Sequence, residues 1–139
     1  MILLDTSGLL SALFSDQNHH AACARVLREA KPPRILSPFV LAELDYLILK
    51  YAGVDAELAL MDEVANGVYE LAKFEDYEIG SVRFQLERYR DLRVGLADAS
   101  LVLLAERYDT RDILTLDERH FRAMRPSARR SFRILPADL

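Results

Sequence analysis

An α/β sandwich around a largely parallel sheet is the architecture this sequence predicts. Two observations carry that expectation: short apolar runs without alternation, and helical segments between them. Continuous apolar runs suit strands covered by helices on both faces of a sheet. Ile2-Leu3-Leu4 is the first such run and ends at Asp5. Thr6 to Phe14 then reads as helix, and Ala21 to Ala30 as a second one that Pro32-Pro33 cannot continue. Ile35-Leu36 makes the second strand. Ser37-Pro38 is a helix start, with a hydroxyl to cap the free amides and proline tolerated in the first turn, and helix follows to about Tyr51, where Gly53 stops it. A further helix runs from Asp55 to Ala65, Gly67 ends it, and Val68-Tyr69-Glu70-Leu71 reads as the third strand. Glu75 to Tyr89 is helical again. Ala97 to Tyr108 is apolar almost all round, so it predicts a helix buried against other elements, with Asp98 the exception. Ile113 to Leu116 reads as a strand ending at Asp117, and Phe132 to Leu135 as the last strand before Pro136.

The 139 residues, 51% of them hydrophobic, fit one globular domain spanning 1–139, and no repeat or low-complexity segment interrupts it. The N-terminus lacks the basic start and long apolar stretch of a secretory signal, and no apolar run is long enough to span a bilayer. The expectation is a soluble, cytoplasmic protein with no membrane partner. The single cysteine, Cys23, cannot form an internal disulfide and is expected in the core, and with three histidines it offers no zinc-type ligand spacing. A net charge of −4 would speak against nucleic-acid binding if it were spread evenly. It is not. Acidic residues crowd the stretch from Glu43 to Glu78, whereas Arg119, Arg122, Arg125, Arg129, Arg130 and Arg133 follow Glu118 with no acid until Asp138. That stretch suits a phosphate-binding face as well as a solvated one.

Four carboxylates demand an explanation. Asp5 and Asp117 each follow a strand, and in open α/β sheets the carboxyl ends of strands open onto the ligand crevice. Both also suit the cap of a following helix. Glu43 lies three residues after Val40 and four before Leu47, which places it on the apolar face of its helix, where it costs several kcal/mol unless it is paired or bound to metal. Asp98 lies near the start of the apolar helix, where a favourable helix-dipole interaction is the alternative reading, and its Leu and Ala neighbours supply no cation. Neither Lys31, Lys50 nor Lys73 is positioned to join the four acids. If the acids meet, they repel one another, and a bound cation is the simplest remedy. Hard oxygen ligands favour Mg²⁺ or Mn²⁺, ions suited to phosphoryl chemistry. The Thr6, Ser7 and Thr115 hydroxyls are available as support, with Ser7 read as an ordinary turn residue.

The order of these motifs resembles a known family. The apolar strand with Asp5-Thr6-Ser7, Ser37-Pro38 with Ala42-Glu43-Leu44, Gly95-Leu96-Ala97-Asp98-Ala99, and Leu114-Thr115-Leu116-Asp117 with Phe121 together resemble the PIN-domain ribonucleases along the whole chain. Within that family the chain looks like the VapC toxins of toxin–antitoxin pairs. The resemblance implies a three-layer sandwich with a mainly parallel, five-stranded sheet and Mg²⁺- or Mn²⁺-dependent endoribonuclease activity on tRNA or structured ribosomal RNA. It also implies a homodimer, and a VapB-type antitoxin whose tail enters the acidic groove. Asp5, Glu43, Asp98 and Asp117 fill the family's acidic positions, as catalytic residues and metal ligands, with Thr6 and Thr115 in support.

Arg93, Arg119, Arg122 and Arg125 are the candidate contacts to RNA phosphates, since guanidinium pairs bidentately with phosphate. His120, beside Phe121, reads as a surface or packing residue that can also touch RNA, and His19-His20 as loop or early-helix residues. Two rival classes remain: a catalytically idle module that docks a basic peptide in the carboxylate groove, and a phosphoryl acceptor using Asp5. Against the second, no aspartate follows Asp5 at two residues and no late strand ends in lysine.

Overall fold

A computed structural model describes residues 1–139. Its centre is β1 (Ile2–Leu4), whose three side chains are all buried, and the remaining strands are laid out around it. Helices α1 (Thr6–Leu13) and α2 (His20–Glu29) carry the chain to β2 (Arg34–Leu36). Helices α3 (Pro38–Ala52) and α4 (Val54–Ala65) lead on to β3 (Glu70–Leu71). The chain then returns through α5 (Asp76–Arg88), a 3-10 turn over Arg90–Leu92 and α6 (Leu96–Arg107) to β4 (Asp112–Leu114), on the other side of β1. A short α7 (Glu118–Ala123) connects to β5 (Arg133–Leu135). The five strands are all parallel in the order β3-β2-β1-β4-β5, flanked by seven helices, as the α/β reading requires. Because the strand order reverses between β1 and β4, the switch point that opens a ligand crevice in such sheets lies at the carboxyl ends of these two strands.

The core joins the strands to the inner faces of the helices, and Leu3, Leu4, Ile35, Leu36, Ile113 and Leu114 are completely buried in it. Cys23 is there too, as expected. Helix α6 buries Ala97, Ala99, Leu101, Val102, Leu104 and Ala105, which is why its sequence shows no polar face. Its one fully buried hydroxyl, Ser100, donates to the Ala97 carbonyl (2.6 Å) and lies 2.7 Å from the Ser37 hydroxyl. With the Ser100 proton committed, Ser37 donates to Ser100 and accepts from the Phe39 amide (3.2 Å) as the cap of α3. This tie registers the start of α3 against α6. No helix is long and apolar enough to cross a membrane.

Four segments depart from the sequence-based expectation. The third strand is two residues, not four, because Gly67 turns with φ +77° and Tyr69 points inward to donate to Glu63 (2.9 Å). The fourth strand stops at Leu114, because side-chain hydroxyls take the amides of Leu116 and Asp117 away from the ladder. Helix α7 and the 3-10 turn at Arg90–Leu92 were not expected; six and three residues are too few to show a helical period. Glycine is required where α1 crosses β4: a Cβ on Gly8 would lie 2.5 Å from the Leu114 carbonyl oxygen.

Ser37→Ala removes both a cap and the donor to Ser100. It should cost about 1–2 kcal/mol, read as a melting temperature lower by roughly 5 °C in calorimetry.

Candidate active site

Asp5 leaves β1 at the switch point and is 5% exposed. It stands at the N-cap position of α1 but makes no side-chain cap bond, so capping does not explain it. Its Oδ2 instead accepts from Thr115 Oγ1 (2.6 Å) and Ser7 Oγ (3.1 Å). Each hydroxyl also accepts a backbone amide from the loop after β4, Asp117 N on Thr115 (2.9 Å) and Leu116 N on Ser7 (3.0 Å). The carboxylate and the loop are thus locked together through two hydroxyls. Burial raises the Asp5 pKa, the hydrogen bonds from Thr115, Thr6 and Ser7 oppose that, and the charge of Asp117 adds to it.

Asp98 sits in the first turn of α6 with its side chain 19% exposed. Burial, then the charge of Asp5, pushes its pKa up to about 7, against the opposing pull of His120. Asp117 does cap a helix: its Oδ1 accepts from His120 N (3.0 Å) at the start of α7. Its Oδ2 lies 3.0 Å from His120 Nδ1, and that nitrogen is 2.9 Å from Asp98 Oδ2. One atom each from Asp98, Asp117 and His120 therefore falls within 4.8 Å of the others, an arrangement able to hold a metal ion. On the opposite lip, Glu43 of α3 takes a hydrogen bond from Thr6 Oγ1 (3.0 Å). All four acids line one open cleft of about 370 Å³, whose apolar walls are Leu10, Leu47 and Val94.

This constellation can be set beside known proteins. Residues 2–125 match the PIN domain family. Ribonuclease VapC26 of Mycobacterium tuberculosis is 44% identical over 135 residues, which span 97% of this chain and all of that protein. The chain belongs to the PIN-domain family, among its VapC ribonucleases. The fold has a solved counterpart in VapC20 of the same organism, described as a sarcin–ricin-loop-cleaving toxin. The two superpose with a TM-score of 0.80 over 91% of this chain and 98% of that one at 16% identity.

In this PIN domain four side chains sit otherwise than the sequence predicts. Glu43 is exposed, not on the buried face: Val40, Leu44 and Ile48 form that face, and Glu43 lies beside it over the cleft. Its presence at the site therefore owes nothing to a desolvation penalty. Ser7 is no ordinary turn residue but a bond to Asp5. His120 is not a packing histidine, and the acids do have a nitrogen-bearing side chain among them. The signal for it was available: three residues after a cap, the i+3 side chain of a new helix shares the cap's side. Arg122, expected to face RNA, is held by Asp138 (2.6 Å) and Glu118 (2.8 Å). Arg130 and Arg133 are likewise paired, with Asp109 and Asp112, which leaves Arg93, Arg119, Arg125 and Arg129 exposed and without an ion pair. Of the two threonines, Thr6 donates to Glu43 and Thr115 to Asp5.

The raised pKa values of Asp5 and Asp98 set a direction for stability. Both groups bind protons more tightly in the folded chain than in the unfolded one, so they favour folding at low pH and lose that contribution as pH rises from about 4 to about 7. In EDTA the protein should melt several degrees higher at pH 5 than at pH 8, and Asp98→Asn should flatten that slope in the same melts.

Proposed function

We propose that the protein is a divalent-metal-dependent endoribonuclease, the toxin of a type II toxin–antitoxin pair, that hydrolyses phosphodiester bonds in RNA at the cleft of Asp5, Glu43, Asp98 and Asp117. One observation carries this reading. Four acids from elements far apart in the sequence, the end of β1, α3, α6 and the start of α7, line one solvent-open cleft at the sheet's switch point. Such a cleft is too negative to accept a phosphodiester unaided.

The donor set fits a hard divalent ion, Mg²⁺ or Mn²⁺, with Asp5, Glu43 and Asp98 as the principal holders and Asp117 completing the cluster or orienting water. When bound, the ion supplies an activated water and neutralises charge on the leaving oxygen. The chain's own groups do the positioning. Thr115 and Ser7 fix the Asp5 carboxylate, Thr6 steadies Glu43, and the Asp117 cap keeps the cleft wall in register. Arg93, next to the cleft-lining Val94, and Arg119 and Arg125 around α7 are free to take RNA phosphates on either side. The word ribonuclease in the name of VapC26 and the sarcin–ricin loop in that of VapC20 support a structured RNA as the substrate class, ribosomal or transfer RNA being what the family resemblance implies. The VapC kinship supports the remaining assignments: a VapB-type antitoxin that places a basic side chain among the carboxylates, a homodimer, and action in the cytoplasm.

The deciding experiment incubates the purified chain with total RNA in Mg²⁺, Mn²⁺ or EDTA, beside Asp5→Asn and Asp98→Asn. Discrete fragments that need metal and vanish in both variants are expected. Cutting that persists in EDTA, or tight binding of a basic peptide with no cutting under any condition, overturns the reading. The arginines separate by a second measurement. Arg119→Ala and Arg125→Ala should each weaken RNA binding and reduce the slope of log affinity against log salt by about one, whereas Arg122→Ala should leave that slope unchanged and lower the melting temperature.

A further inference from the structure

We propose that His120 is a nitrogen ligand of the metal in this cleft, and that the site therefore selects a first-row transition ion such as Mn²⁺ over Mg²⁺. The inference rests on the metal-dependent reading above and goes beyond it, because carboxylates alone set no such preference. The spacing is the first argument. His120 Nδ1 stands 2.9 Å from Asp98 Oδ2 and 3.0 Å from Asp117 Oδ2. Adjacent ligands of an octahedral ion with bonds of about 2.1 Å are themselves about 3 Å apart, so the three atoms already trace two edges of such a shell.

The second argument is one of capacity. The ring nitrogen carries at most one proton, enough for a good hydrogen bond to one carboxylate, yet two carboxylate oxygens approach it equally closely. A divalent ion among the three satisfies all of them at once.

The third is rigidity. The His120 amide is bound to Asp117 Oδ1, and the next residue, Phe121, is fully buried edge-to-face on Phe132 with ring centres 5.4 Å apart. The imidazole is thus presented from a pinned turn and cannot drift out of the cleft with a mobile loop. Imidazole suits Fe, Ni, Cu and Zn ions best, and Mn²⁺, the most oxygen-seeking of the first-row ions, still accepts a nitrogen more readily than Mg²⁺, which dehydrates reluctantly and takes oxygen ligands. Replacing one oxygen donor by nitrogen shifts the preference toward the transition ions.

Pulsed EPR of Mn²⁺ on the EDTA-stripped chain reads the ligand directly. Nitrogen hyperfine couplings are expected in the wild type and absent in His120→Gln and His120→Asn. Competition titration should show Mn²⁺ bound at least about tenfold more tightly than Mg²⁺ by the wild type, with both substitutions erasing most of that ratio while leaving Mg²⁺ affinity within about threefold. A wild-type spectrum without nitrogen couplings, or a Mn²⁺ preference that survives both substitutions, overturns the proposal. If RNA is nevertheless cut in a metal-dependent way, the ligand assignment alone has failed. If neither ion binds and no metal-dependent cutting occurs, the nuclease reading has failed with it.

Discussion

The rest of the structure depends on keeping one carboxylate, that of Asp5, buried at the end of the central strand. Burial of an ionisable group is expensive unless its oxygens are satisfied, and here the cost is met by two hydroxyls that arrive from different elements. Ser7 comes with α1 and Thr115 with the end of β4, so the arrangement exists only if α1 lies directly on β4. Gly8 makes that approach possible, since any side chain there would strike the Leu114 backbone. The early end of β4 belongs to the same arrangement. Beyond it the amides of Leu116 and Asp117 serve the hydroxyls that hold Asp5 rather than a sheet ladder, and the loop they form delivers Asp117 and His120 to the cleft.

Charge accumulates at this point by design of the topology. Asp5 precedes α1, Asp98 lies in the first turn of α6, and Asp117 precedes α7, so the amino ends of three helices converge where the negative charge is placed. Each helix terminus offers partial positive charge, which softens the repulsion without cancelling it. What is left is visible in Asp98, whose pKa stays near 7 although His120 pulls it down. Capping and a place in the cleft are therefore not competing accounts of these acids. Asp117 combines them, with one oxygen on the helix amide and the other on the cleft side.

Much of this was legible in the sequence because it depends on local pattern. Ile2-Leu3-Leu4 with Asp5, the Ser37-Pro38 cap, the Gly53 stop and the polar-free run of α6 each signal their structure within a few residues. The acids stood out because they interrupt apolar segments. Helix periodicity puts Glu43 on the apolar stripe, but a shift of one position around the helix separates the buried Leu44 from the exposed Glu43. Part of the geometry of His120 and Ser7 is local, with Asp117 three residues before one and Asp5 two before the other, but no local pattern records that Asp98 and Thr115, 22 and 108 residues away, complete it. The arginine stretch misled for the same reason. Its apparent basic face is partly neutralised by Asp109, Asp112 and Asp138, which the fold brings back to it from outside the run.

The four acids are also not held alike, and the difference follows from what each side chain is attached to. Asp5 is fixed by two hydroxyls, and Asp117 by a backbone amide and the imidazole that it shares with Asp98. Glu43 is exposed on a longer side chain with one hydrogen bond, from Thr6, and so keeps the most rotamer freedom. Its backbone is not free, since the buried Ser37–Ser100 bond ties the start of α3 to the helix that carries Asp98. The site thus combines a rigid wall of three acids and a histidine with one adjustable carboxylate on the facing lip. Such a division suits a cleft that must exclude the wrong geometry on one side and admit a bulky, variable polymer on the other.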